Sequence, residues 1–116
     1  MKKVTIWHNP RCSKSRETLA LLQQRDIEPE IVQYLMTPPS VAEIERALGL
    51  LKLEPRELMR RGEAEYAMAH ADDPSLSHHA LAELMHRYPV LIQRPVVFAN
   101  GQARIGRPPE AVLEIL

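Results

Sequence analysis

The chain has 116 residues, enough for one domain with a buried core, and its 15 basic and 15 acidic residues balance to no net charge. A general binder of polyanions would carry a basic excess, which speaks against nucleic acid as a direct ligand. The absence of any run of about 18 apolar residues speaks against a membrane-spanning helix. Met1 to His8 lacks the apolar core and cleavage site of a signal peptide, so a cytoplasmic location is expected.

Val4 to Trp7 reads as a short buried strand, and His8 to Ser13 as a loop. From about Ser15 to Gln24, Leu19 and Leu22 with Ala20 and Leu21 beside them predict a helix. Glu30 to Leu35 reads as a second strand, which completes a βαβ unit. After a break at Met36 to Pro39, Ser40-Val41-Ala42-Glu43 matches a capping box, with Val41, Ile44, Leu48 and Leu51 following at helical spacing. A short helix is expected from near Pro55 to Gly62, with the glycine as its terminator. Another is expected from about Ser77 to Arg87, with Leu81, Leu84, Met85 and Tyr88 on one face. Pro95 to Ala99 and Gln102 to Ile105 flank Asn100-Gly101, the strongest short hairpin signal. Pro108-Pro109-Glu110 then opens a final helix reaching Leu116. This order predicts a single α/β domain over residues 1–116. It is compatible with a thioredoxin-like core (βαβ, then β-hairpin and C-terminal helix) carrying a helical insertion over about residues 37–88.

Cys12 is the single cysteine, so an internal disulfide and a multi-cysteine metal site are both excluded. If it does redox chemistry, the partner thiol comes from another molecule. Its place between a strand and a helix puts it near unpaired backbone N–H groups, which favour a thiolate. Arg11, Lys14 and Arg16 add positive charge, and the hydroxyls of Ser13 and Ser15 are candidate donors to the sulfur. Such surroundings suit a nucleophile and also attract an oxyanion; a merely structural cysteine does not need them. Cys12-Ser13-Lys14-Ser15 is C-x-x-S, without the resolving cysteine of C-x-x-C enzymes. The C-x₅-R spacing of tyrosine phosphatases is not met either, because Thr18 stands where the arginine belongs.

The segment His8-Asn9-Pro10-Arg11-Cys12-Ser13-Lys14-Ser15-Arg16 resembles the active-site segment of glutaredoxin-linked arsenate reductases. The resemblance continues through Tyr34-Leu35 and Pro38-Pro39, Arg56 to Arg60, Leu91 to Val97, and Arg107 to Leu116, and so covers essentially the whole chain. It implies a thioredoxin-like fold and glutathione- and glutaredoxin-dependent reduction of arsenate, with no tightly bound cofactor. It gives Cys12 the part of nucleophile and gives Arg60, Arg94 and Arg107 the holding of the oxyanion. His8 is implied to help lower the thiol's pKa and Pro95 to lie beside the site, while Ser15 is a supporting candidate through the hydroxyl named above. Arg94-Pro95 falls where this fold often has a cis proline. Guanidinium forks suit a tetrahedral anion, because they offer paired, charge-assisted hydrogen bonds. Well-characterised members carry Gly-Thr-Ser after the cysteine, so Ser13-Lys14-Ser15 resembles a subgroup.

Blander readings stand beside these. Arg60 near a helix end suits the helix dipole, Arg94 and Arg107 suit a surface, and Ser15 suits a first helical turn. His79, Glu83 and His86 fall on one helical face but read as solvated surface rather than a metal site. Two other functions share the pattern in part. A monothiol oxidoreductase acting on glutathione mixed disulfides would need Cys12 but not all the arginines. An Spx-like RNA polymerase-binding regulator would share the fold, but Ser15 removes the usual C-x-x-C switch.

Overall fold

In Val4–Trp7 (β1), Val4, Ile6 and Trp7 are all buried. Neighbouring strand residues point to opposite faces, so burial of both Ile6 and Trp7 means that both faces of β1 are covered. The strand accordingly lies inside a four-stranded sheet of order β2-β1-β3-β4. It pairs in parallel with Glu30–Val32 (β2) and antiparallel with Val96–Ala99 (β3). Gln102–Ile105 (β4) pairs antiparallel with β3, Ala99 facing Gln102 across Asn100-Gly101. Both turn residues have positive φ, 54° and 71°, as the expected tight hairpin turn requires.

The computed structural model describes residues 3–116, which form two compact units: residues 3–37 with Arg94–Leu116, and Pro38–Gln93. In the first unit Ser13–Gln24 (α1) joins β1 to β2. The core there gathers Val4, Ile6, Leu22, Val97, Ala99, Val112 and Ile115. A fully buried leucine or isoleucine such as Leu22 or Ile6 stabilises the fold by about 1.5–3 kcal/mol. The final helix, expected to reach Leu116, runs over Pro109–Ile115 and is wound as a 3₁₀ helix. Its buried residues Pro109, Val112 and Ile115 recur every third position, and three residues per turn stack them in one row against the core. Asn100 Nδ2 donates to Ile115 O (2.7 Å), tying the hairpin turn to this segment.

The second unit is helical: Val41–Leu51 (α2), Pro55–Leu58 (α3), Ala64–Met68 (α4) and His78–Arg87 (α5), then a 3₁₀ turn at Pro89–Leu91. The capping box is present, with Glu43 N donating to Ser40 Oγ (3.1 Å) and Ser40 N to Glu43 Oε1 (2.9 Å). The buried faces of α2 (Ile44, Ala47, Leu48) and α5 (Leu81, Ala82, Met85) belong to two helices that pack together. The helix expected from Pro55 to Gly62 stops at Leu58. Met59 takes an extended conformation and bridges Ile92, with Gln93 N donating to Leu58 O (2.7 Å) and Arg60 N to Leu91 O (2.6 Å). Those long-range bonds replace the helical ones, and Gly62 is not a helix terminator. The second strand is also shorter than expected: Gln33 O accepts from Met36 N and Thr37 N, which turns the chain before Leu35. No helix among the described residues is long and apolar enough to cross a membrane.

Candidate active site

The loop that carries Cys12 is built on buried polar groups. Asn9 Oδ1 accepts from Arg11 N and Asn9 O from Cys12 N, both at 3.0 Å, so the chain turns tightly through Pro10. Asn9 N also donates to Ser15 Oγ (3.0 Å), and His8 Nδ1 lies 2.6 Å from the same oxygen. The loop is therefore clamped to the first turn of α1, with Cys12 at the N-cap position and its backbone extended. Arg16 Nη1 donates to Pro10 O (3.0 Å) and closes the other side.

Cys12 is partly exposed, and so open to a reactant. Burial raises its thiol pKa, but the N–H groups of Ser15 and Lys14 and the Arg94 guanidinium outweigh burial and leave the pKa below the usual thiol range. Arg107 Nη2 donates toward Cys12 Sγ at 3.8 Å, and its Nε donates to Arg94 O at 2.8 Å. The Arg94 guanidinium faces both Cys12 and the buried Tyr34, and its own pKa, lowered by desolvation, is raised further by Cys12 and Tyr34, for a net rise. Arg94-Pro95 is cis, as is Arg107-Pro108. Gly106 N donates to Pro95 O (2.9 Å), and a Cβ at Gly106 would meet Thr18 Oγ1 at 2.5 Å and Pro95 Cγ at 2.8 Å. Only glycine allows this approach of β4's end to α1, and the next residue is Arg107. The first unit thus gathers a thiol of lowered pKa and two guanidinium groups, a set suited to a tetrahedral oxyanion.

A family model, the ArsC family, matches residues 7–115. The chain belongs to the ArsC family. It is 53% identical over 116 residues to the uncharacterized protein YfgD of Escherichia coli K12, covering 99% of this chain and 98% of that one. It is 42% identical over 117 residues to an arsenate reductase of Neisseria meningitidis, with both chains covered in full. The solved structure of an arsenate reductase from Vibrio cholerae superposes with a TM-score of 0.96 at 53% identity, covering 98% of each chain. The fold is the thioredoxin-like α/β fold of the ArsC family.

Within this ArsC-family chain, the first unit brings Cys12, His8, Ser15, Arg94, Pro95 and Arg107 together. Arg60 lies in the second unit, where its Nε pairs with Glu63 Oε1 at 3.1 Å. Two details differ from expectation. Ser15 does not aim its hydroxyl at the sulfur; the oxygen holds Asn9 and His8, and the backbone N–H serves the thiolate. His8 carries less positive charge than an ordinary histidine, because burial first and the charge of Arg16 second push its pKa down. Asn9, Thr18 and Gly106 were not singled out as site residues from sequence. Asn9 before a proline is a readable turn signal. Thr18, buried in mid-helix with Oγ1 donating to Lys14 O (2.8 Å), carries no local signal. On α5, His79 pairs with Glu45 (3.4 Å) and Glu83 (3.6 Å), and His86 Nδ1 donates to Pro39 O (2.7 Å).

Proposed function

We propose that this protein reduces arsenate to arsenite, with glutathione as co-substrate and a glutaredoxin as the final electron donor. The observation that carries this reading is Cys12, its thiol pKa lowered, flanked by Arg94 and Arg107. The two guanidinium groups hold arsenate oxygens, and Cys12 displaces one oxygen as water, forming a sulfur–arsenic bond. Glutathione displaces a second oxygen as water and forms a second sulfur–arsenic bond. A glutaredoxin thiolate then attacks the glutathione sulfur. A disulfide forms, the electron pair of that sulfur–arsenic bond stays on arsenic, and As(V) becomes As(III). Water finally releases arsenite and regenerates the Cys12 thiol. With one cysteine in the chain, every electron comes from outside thiols, and no tightly bound cofactor is needed. Dependence on a reducing thiol pool fits a cytoplasmic location.

Arsenate-dependent NADPH oxidation, coupled through glutathione, glutathione reductase and a glutaredoxin, tests the reading. Turnover is expected in the wild type and none above background in Cys12→Ser. A folded wild type that leaves arsenate unreduced but cleaves glutathione mixed disulfides would transfer the function to a monothiol oxidoreductase.

A further inference from the structure

The chemistry just proposed needs a second thiol beside Cys12, and the first unit holds a cavity where one fits. We propose that this cavity is the seat of the thiol co-substrate, a small anionic peptide thiol of the glutathione class. The proposal rests on the thiol-dependent reading above and adds a binding site to it. The cavity measures about 350 Å³, within the ~300–1,000 Å³ typical of ligand pockets. One wall is the clamped loop His8 to Arg11, which leads directly into Cys12; the other is Gln33, Leu35 and Met36 after β2.

The lining fits such a ligand chemically. It contains no carboxylate; it presents the guanidinium-bearing Arg11 and the Gln33 amide for carboxylate ends. Leu35 and Met36, 39% and 79% exposed, offer apolar surface to the methylene parts of such a ligand. Neither Arg94 nor Arg107 lines the cavity, so both remain for the oxyanion. The larger cavity of the second unit, about 480 Å³, offers the opposite electrostatics, with Glu45, Glu54 and Glu57 against Lys52 and His78. An anionic peptide would be repelled there. From the loop cavity the thiol sulfur would displace an arsenic-bound oxygen as water, as the proposed second step requires.

The test is a ¹H–¹⁵N titration of the full chain with S-methylglutathione, which binds but cannot react. Amide shifts are expected at residues 8, 9, 11 and 33–36. Gln33→Glu, which changes charge but hardly shape at an exposed position, is expected to weaken binding about tenfold, raise the glutathione KM similarly, and leave Cys12 alkylation by neutral iodoacetamide unaltered. Shifts confined to Arg94–Arg107, no shifts at all, or indifference to Gln33→Glu would overturn the seat even if arsenate turnover were intact. Shifts at the cavity without arsenate turnover would uphold the seat and sink the arsenate reading instead.

Discussion

The buried residues of the two units differ in kind. His8, Asn9, Ser15 and Thr18, the buried polar residues among those described, all lie in the first unit, around Cys12. In the second unit the buried positions are apolar: Ile44 and Leu48 on α2, Leu81 and Met85 on α5. Burying a polar group is unfavourable unless it is hydrogen-bonded, and a loop that buries several must satisfy each one. The first unit meets that requirement in the loop that fixes the position of Cys12. The second follows the plain rule of helix packing, with the buried faces recurring at three and four residues. The difference separates residues kept for packing from residues kept for position.

Paired substitutions sharpen this contrast, beginning with glycine. Gly106→Ala is expected to cost about 1–3 kcal/mol through overpacking against Thr18 and Pro95, and to reduce turnover by displacing Arg107. Gly62→Ala in the second unit, with nothing within 4 Å of the new Cβ, should stay within about 0.5 kcal/mol. Urea unfolding of both variants measures the difference, and equal costs would break the contrast. Serine gives the next pair. Ser15→Ala removes the shared oxygen, leaves Asn9 N and His8 Nδ1 without it, and should cost about 1–3 kcal/mol. Ser40→Ala removes an exposed cap and should cost about 1 kcal/mol, with no effect on Cys12 reactivity.

The remaining effects are electrostatic and smaller. Arg94→Ala should move the pH midpoint of Cys12 alkylation upward, toward an ordinary cysteine, and raise the arsenate KM. An unmoved midpoint would remove Arg94 from the thiolate's surroundings. His8 has the weakest consequence, visible in stability against pH. Its folded pKa is depressed, so as pH falls through about 6.5 the unfolded chain binds the proton first and stability declines. Above that range both states are neutral and the contribution vanishes. His8→Asn should flatten this acid limb of a thermal-unfolding profile between pH 7 and 5.

Much of this was legible in the residues. Local signals were sufficient wherever the deciding partners are a few positions apart. Ser40 and Glu43 satisfy each other's backbone, Asn100-Gly101 tolerates the positive φ of its turn, and Cys12 lies at the start of a helix with cations nearby. The α/β class followed from such short-range rules, and so did the choice of Cys12 as the candidate nucleophile. Tertiary structure decided whatever depends on groups distant in the chain. Arg107 meets Cys12 across 95 residues, and no periodicity or spacing encodes that encounter. Met59 and Ile92 likewise exchange an expected helix for a bridge, because long-range backbone bonds can replace helical ones at little cost. The role of Ser15 shows the boundary most clearly. Its type and position suggested a hydroxyl for the sulfur, yet the fold brought His8 and Asn9 to that oxygen first, and a hydroxyl has only so many partners to give.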